Sequence, residues 1–152
     1  MFSENMIGIA REKFSGNTRI SYIIGDYIET DIGEARYDAV ISALSLHHLN
    51  PEGKRAFFAK VRAALREGGE FVNADIVKNA DPALEARFDS LWTGFVLGNI
   101  GEGEYFDRFL ASKNIDDPST AEEQLSWLKD CGFREAYCIY SYLNFAVMYA
   151  VR

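Results

Sequence analysis

Residues 37–49 read YDAVISALSLHHL, and this stretch decides the fold class. Residues 37–44 are almost continuously apolar, which is typical of a parallel strand that is buried on both faces. Asn50 and Pro51 follow, with the cap-then-proline pattern of a helix start. A buried strand that leads through a short turn into a helix predicts an α/β fold with parallel strands.

Hydrophobic periodicity on either side of this stretch predicts the remaining elements. In chain order they are helix 3–14 with Ser3 as its N-cap, strand 20–24, strand 37–44, a helix from Pro51 to Gly68-Gly69, strand 71–74 ending at Asp75, helices from Pro82, near Tyr105 and from Thr120, and strands 135–142 and 144–151. The early alternation predicts parallel strands with crossover helices, and the closing hairpin predicts an antiparallel end. We therefore predict a single α/β domain over residues 1–152, with a mostly parallel sheet.

Composition excludes several classes of protein. The 152 residues are 48% hydrophobic and carry a net charge of −7, which favours a globular protein with a small-molecule partner over a nucleic-acid binder. Two cysteines, Cys131 and Cys138, form neither a disulfide framework nor a metal set, so we expect a reduced, cytoplasmic protein. No apolar run reaches the roughly 20 residues of a membrane span.

Five short motifs carry a family resemblance. They are SENM at 3–6, GDY at 25–27, the stretch at 37–49, LREGG at 65–69 and CGF at 131–133. In this order they resemble the class I S-adenosylmethionine (SAM)-dependent methyltransferases. The ending YLNFAVM at 142–148 is similar to the branch that contains small-molecule and tRNA wobble-uridine methyltransferases. The resemblance implies a Rossmann-like sheet and SAM as the cofactor.

One family motif has no counterpart in this sequence. The glycine-rich G-x-G-x-G loop, which approaches the methionine portion of SAM in the family, does not occur. The family sheet has the order 3-2-1-4-5-7-6, and the resemblance covers its strands 3 to 7. The sequence therefore resembles the C-terminal two-thirds of a methyltransferase, with an incomplete sheet and with residues 76–118 as the insertion that covers the substrate.

The resemblance also implies a set of cofactor contacts. Asp26 corresponds to the acidic residue that accepts a hydrogen bond from the adenine amino group, and the backbone of Tyr27 corresponds to the segment that flanks the ring. Ala43 and Leu44 end strand 37–44, where open α/β sheets bind ligands, and correspond to the backbone that contacts the methionine portion. The alternatives are a turn aspartate, since Gly-Asp is a turn pattern, and a small residue in a packed strand.

His47 and His48 are candidate catalytic residues, because they follow the same strand and a histidine near neutrality can act as a base. The alternative is a loop histidine that packs or caps a helix. Neighbouring histidines on one element point apart and no third ligand is evident, so we predict no metal site. Trp92, Tyr105 and Arg108 are candidate substrate contacts in the insertion, although aromatic residues at helical spacing are more typical of a core.

Two functions follow from these residues. The first is SAM-dependent methyl transfer to a small-molecule or RNA acceptor, with weak SAM binding by this chain because the glycine loop is missing. The second is a non-catalytic methyltransferase remnant that acts as a self-associating module. Strand 37–44 becomes a sheet edge in the incomplete fold and has few charges to protect it, so we predict a homo-oligomer formed through residues 3–44.

Overall fold

A computed structural model describes residues 4–100, 103–113 and 115–152, without the side chains of residues 104, 105 and 112. The chain divides into two compact units, residues 1–32 and residues 33–152. The expectation of a single domain stays a prediction. The elements are α1 (Glu4–Lys13), β1 (Tyr37–Ala43), a 3₁₀ turn (Leu46–His48), α2 (Pro51–Ala64), β2 (Leu65–Ile76), α3 (Pro82–Ile100), α4 (Glu104–Lys113), α5 (Ala121–Asp130), β3 (Glu135–Tyr142) and β4 (Phe145–Val151).

The first unit contains α1 and an irregular segment. The predicted helix is confirmed, and Gly16 follows it with a left-handed φ of 92°; the predicted N-cap, Ser3, lies outside the described residues. The hydroxyl of Tyr22 donates to the carbonyl of Ala10 at 2.9 Å, which fixes the segment against α1. The predicted strand at 20–24 is wrong: these residues pair with no described strand, and Ile23 is 62% exposed. Apolar, β-branched residues form a strand only where a neighbour satisfies their backbone groups.

The second unit is built on a four-stranded sheet with the order β1-β2-β4-β3. β1 and β2 are parallel, and β4 is antiparallel to both β2 and β3. This order corresponds to strands 4-5-7-6 of the family sheet, so the predicted Rossmann-like sheet with its antiparallel hairpin is confirmed. By its pairings the sheet is mixed rather than mostly parallel, since β1-β2 is the one parallel pair among the described strands. The carboxyl ends of β1 and β2 therefore lie side by side.

β1 lies at one edge of this sheet, as predicted, but it is not buried on both faces. Ile41 is 77% exposed and Ala43 is also exposed. A continuously apolar sequence is typical of a strand that other elements cover on both faces. Among the described residues of the second unit, the buried face of the sheet packs on α2 and α5, and the side chain of Ile41 remains exposed.

The junction between α2 and β2 differs from the prediction. The helix ends at Ala64 and Leu65 is already extended, so Gly68-Gly69 lies inside β2 rather than at the helix end. The register between β1 and β2 shifts at this point, and Gly68 has a φ of 74°. A Cβ at Gly69 would lie 2.8 Å from the backbone oxygen of Arg66. The two glycines therefore permit an irregularity in the strand.

The core lies between the sheet and the pair α2 and α5. The rings of Phe57 and Phe58 on α2 pack 6.4 and 5.9 Å from Phe71 of β2, and Phe133 contacts the same ring at 6.2 Å. Alternate residues of β2 point into this core, as the period of a strand requires. The helix caps support the arrangement, because Asn50 accepts from the Gly53 N–H as predicted.

The predicted capping box is also confirmed: Thr120 and Glu123 hold the first turn of α5 by reciprocal hydrogen bonds. Of the helices in the described part of the chain, none combines the length and apolar character that crossing a membrane requires.

Candidate active site

A cavity of about 670 Å³ opens at the carboxyl ends of β1 and β2 in the second unit. The 3₁₀ turn, α3, α4, the segment 116–118 and the start of β4 complete its wall. Its lining residues are Leu44, His47, His48, Ile76, Val77, Glu85, Asp89, Trp92, Phe109, Lys113, Asp116, Pro118, Asn144 and Phe145. Parallel sheets bind ligands at this edge, so the cavity lies where the fold predicts a site.

His47 is held rigidly at the polar end of the cavity by Asp75. The Nδ1–H of His47 donates to Oδ1 of Asp75 at 2.6 Å, and the two side chains are 6% and 1% exposed. Oδ2 of Asp75 accepts from the backbone N–H groups of Leu46 and His47 at 2.8 and 3.0 Å. The Asp75 hydrogen bond raises the pKa of His47, although burial acts in the opposite direction. Because the carboxylate is acceptor-only, Nδ1 carries the proton and Nε2 presents a lone pair.

Asp116 joins the two histidines from a distant part of the chain. Its Oδ1 lies 2.9 Å from Nδ1 of His48 and 3.8 Å from Nε2 of His47. The imidazole ring centroids are 4.1 Å apart. The expectation that the neighbouring histidines point apart and that no third ligand is present is therefore wrong. The tight 3₁₀ turn directs both rings toward one carboxylate, and the three ligand atoms lie within 4.8 Å of one another.

A buried lysine ties these segments together. Lys54, 1% exposed on α2, donates from Nζ to the carbonyl of Leu49 at 2.6 Å and to the carbonyl of Asp117. The N–H of Asp117 in turn donates to the carbonyl of His47 at 2.7 Å. Burial lowers the pKa of Lys54. These bonds fix the segment that carries Asp116 against the 3₁₀ turn.

Aromatic rings form the opposite wall of the cavity. Trp92 of α3 lies edge-on to Phe145 of β4 at 5.2 Å and to Phe109 of α4 at 6.5 Å. The remaining wall is aliphatic, from Leu44, Ile76 and Val77. This wall suits a flat, apolar ligand, because offset and edge-to-face ring contacts add to the area that is buried.

Charged groups on this wall are paired within the protein. Nζ of Lys113 forms an ion pair with Asp89. Glu85 accepts from the backbone N–H of Asn79 at 2.6 Å and from the side chain of Asn144 at 3.2 Å. A ligand in the cavity would therefore meet paired charges along this wall, and His47, His48 and Asp116 at the polar end.

The predicted cofactor residues fall in different units. Asp26 and Tyr27 lie in residues 1–32, where Oδ1 of Asp26 accepts from the Ile28 N–H at 2.8 Å, the geometry of a turn aspartate. Ala43 and Leu44 lie in the second unit at the end of β1, both exposed, and Leu44 has a φ of 48° and lines the cavity. Their role in SAM binding stays a prediction.

The predicted substrate residues also separate. Trp92 lines the cavity, whereas Arg108 is exposed on α4 and is not among the described lining residues. The side chain of Tyr105 lies outside the described part of the structure. Their contact with a substrate, and the role of residues 76–118 as its cover, stay predictions.

Three residues of the polar end were not predicted from the sequence: Asp75, Asp116 and Lys54. The sequence position of Asp75 could have indicated its role, because Asp75 ends the strand beside β1 and His47 follows β1. The carboxyl ends of neighbouring parallel strands lie side by side. Asp116 lies 68 or more positions from the histidines in a segment without periodicity, and no local signal marks it. Lys54 belongs to a run of basic residues that is typical of a solvated helix face.

Comparison with known proteins identifies proteins that this chain is similar to. Residues 2–69 match the family model described as a methyltransferase domain. A carboxy-S-adenosyl-L-methionine synthase of Shewanella amazonensis is 26% identical over 154 residues, which cover 99% of this chain and 63% of that protein. The chain thus spans less than two-thirds of the length of this curated relative.

Solved structures show the same fold at low identity. Human N-acetylserotonin methyltransferase in complex with SAM superposes with a TM-score of 0.62 at 16% identity, covering 98% of this chain and 38% of that one. A Bordetella parapertussis protein superposes with a TM-score of 0.71 at 15% identity, covering 99% of this chain and 51% of that one. These solved structures share the fold of this chain, and the matched family model covers residues 2–69, so both agree with the resemblance to the class I SAM-dependent methyltransferases that the sequence predicts.

Proposed function

We propose that this chain carries the acceptor-binding part of a SAM-dependent methyltransferase that acts on a small, ring-bearing molecule. One observation carries the proposal: the cavity at the carboxyl ends of β1 and β2 has an aromatic wall and a rigid histidine at its polar end. A ring stacked near Trp92 and Phe145 would direct a hydroxyl or amine toward His47. The acidic balance of the chain, with a net charge of −7, supports a small acceptor over RNA.

The end of β1 fits the predicted place of SAM. Ala43 is small and exposed at the strand end, so its backbone is open to close approach, and Leu44 continues directly into the cavity. SAM supplies a methyl group on a sulfonium centre, which makes positioning of the acceptor the main task of the protein. Asp26 and Tyr27 are the residues that the family pattern assigns to the adenine.

The residues of this chain then have separate roles in the proposed reaction. Asp75 keeps the proton on Nδ1 of His47, so that Nε2 accepts a hydrogen bond from the O–H or N–H of the acceptor. SAM, held against the end of β1 at Ala43 and Leu44, would supply the methyl group, and His47 would keep the acceptor heteroatom oriented to receive it. The heteroatom proton is released through the polar end of the cavity. The side chain of His48 is 49% exposed, so this residue contacts solvent at the polar end of the cavity.

The experiment pairs a binding assay with product analysis. The chain is mixed with SAM and a panel of hydroxylated and aminated ring compounds, and binding is followed by ligand-observed NMR and products by mass spectrometry. We expect Phe145→Ala to reduce the binding of a positive compound by about 10-fold, since loss of a buried aromatic contact costs about 1–1.5 kcal/mol. Tyr140→Ala is the matched control, because Tyr140 is 58% exposed on β3 and does not line the cavity.

The same products separate the alternatives. A methylated ring compound supports the proposal. The curated relatives are named as synthases of a SAM derivative, so in a parallel mixture that also contains a carboxyl donor, a carboxylated form of SAM would assign that activity to the chain. Failure of every ring compound to bind would contradict the small-molecule assignment and favour the self-associating, non-catalytic alternative.

A further inference from the structure

We infer that His47, His48 and Asp116 form a binding site for a divalent transition metal ion, with Asp75 as the outer partner that orients His47. This site shares His47 with the proposed methyl transfer, but metal binding is measured without SAM or an acceptor, so either proposal can fail without the other. Two imidazole nitrogens and one carboxylate oxygen are a donor set that suits Zn²⁺, Co²⁺, Ni²⁺ or Fe²⁺, whereas Mg²⁺ and Ca²⁺ prefer oxygen ligands alone.

The spacing of the ligand atoms supports this inference. Metal–ligand bonds of about 2.0–2.2 Å at angles of about 90–130° place ligand atoms about 2.8–4.0 Å apart. Oδ1 of Asp116 lies 2.9 Å from Nδ1 of His48 and 3.8 Å from Nε2 of His47. The longer distance exceeds that of a hydrogen bond but lies within the range that a shared ion would bridge, and the ligand atoms of the three residues lie within 4.8 Å of one another.

The hydrogen bonding of Asp116 gives a second observation. Its Oδ1 is buried and accepts no hydrogen bond in the described part of the structure, although Nδ1 of His48 is only 2.9 Å away. The contact therefore lacks the alignment of a donor and an acceptor. A cation bound by Oδ1 of Asp116 and Nδ1 of His48 would give this buried oxygen a partner.

Asp75 is a hydrogen-bond acceptor for the ring nitrogen of His47 that would not bind the metal, a partner that metal-binding histidines usually have. It accepts the Nδ1–H of His47 at 2.6 Å and is itself fixed by the backbone N–H groups of Leu46, His47 and Ile76. Such a carboxylate sets the tautomer and the ring direction of the histidine, which leaves Nε2 as the ligand. Lys54 provides further rigidity, because it anchors the carbonyl of Asp117 next to Asp116.

The site also has an entrance and vacant ligand positions. All three ligands line the cavity, and three protein ligands leave at least one coordination position for water or for a ligand in the cavity. With the ion bound, the heteroatom of an acceptor would meet the metal instead of Nε2 of His47. The metal would then act as a Lewis acid that makes a bound hydroxyl more acidic.

Titration of the whole chain with Zn²⁺ tests the site directly. We expect one ion per chain with a dissociation constant below about 10 μM by calorimetry. The sequence has two histidines, so ¹⁵N NMR of the imidazoles reports both ligands without ambiguity. We expect the coordinated nitrogens to be Nε2 of His47 and Nδ1 of His48.

Substitutions then assign the ligands. We expect His48→Ala and Asp116→Asn each to weaken Zn²⁺ binding by at least about 10-fold, and Asp75→Asn to weaken it by about 10–100-fold. Asp117→Asn is the matched control, since this neighbouring carboxylate is exposed and lies outside the cluster, and it should bind as the unmodified chain does. Circular dichroism establishes that each variant is folded.

Three results would overturn the inference. One is a dissociation constant for Zn²⁺ weaker than about 1 mM. Another is unchanged binding in folded His48→Ala and Asp116→Asn. The third is a thiolate charge-transfer band with Co²⁺, which would place the ion at Cys131 or Cys138 instead.

Discussion

Replacing Asp75 with Asn is the sharpest test of how the polar end is held together. The carboxylate is buried; Oδ1 accepts from the His47 ring and the Ile76 N–H, and Oδ2 accepts from the N–H groups of Leu46 and His47, all at 2.6–3.0 Å. An Asn side chain has one acceptor oxygen, so its NH₂ group must face either the His47 ring and the Ile76 N–H or the N–H groups of Leu46 and His47. Each hydrogen bond to a charged group contributes about 1.5–3 kcal/mol. Loss of one or two of them predicts that the free energy of unfolding falls by about 2–5 kcal/mol.

Urea unfolding followed by tryptophan fluorescence measures this loss. Asp38→Asn is the matched control, because Asp38 pairs with Arg66 at 2.6 Å on the surface, where its side chain is 83% exposed. An exposed pair of this kind contributes less than about 1 kcal/mol. If Asp75→Asn costs no more than Asp38→Asn does, the carboxylate does not organise the turn and the argument for a preorganised His47 fails.

Three further predictions concern the rest of the molecule. Lys54→Met keeps the aliphatic volume but leaves the carbonyls of Leu49 and Asp117 without their donor. We therefore expect the free energy of unfolding to fall by about 2–4 kcal/mol in the same urea assay. A fall of less than about 0.5 kcal/mol would contradict this role of Lys54. Because the sequence lacks G-x-G-x-G, we expect the dissociation constant for SAM measured by calorimetry to be weaker than the low micromolar range. Asp26→Ala should weaken the free energy of any measured binding by about 1–3 kcal/mol. Tight SAM binding would contradict the first expectation, and SAM binding that Asp26→Ala leaves unchanged would contradict the assigned contact. Light scattering on a sizing column should show a homo-oligomer, and Ile41→Lys should shift it toward a monomer of 17.1 kDa without loss of fold, because this edge side chain is 77% exposed; a monomer at high micromolar concentration before the substitution would refute the predicted assembly.

The sequence by itself was sufficient for the elements whose signals are local. The Asn50-Pro51 helix start, the capping box of Thr120 and Glu123 and the closing hairpin all lie where the sequence predicts them. Each depends on hydrogen bonds between residues a few positions apart, so neighbouring residue types determine the outcome. The family motifs then supplied the strand order, which local patterns do not specify.

Tertiary structure decided the features that depend on distant partners. Residues 20–24 have strand composition but no described strand beside them, and Gly68-Gly69 could end a helix or interrupt a strand until the register with β1 is known. The site depends most strongly on the fold. Local residue types predicted that His47 and His48 diverge, but the 3₁₀ turn and the lysine-anchored segment 116–118 bring both rings to Asp116. A ligand set assembled from separate segments has no local signal in the sequence, because its geometry arises only when the sheet places those segments at one edge.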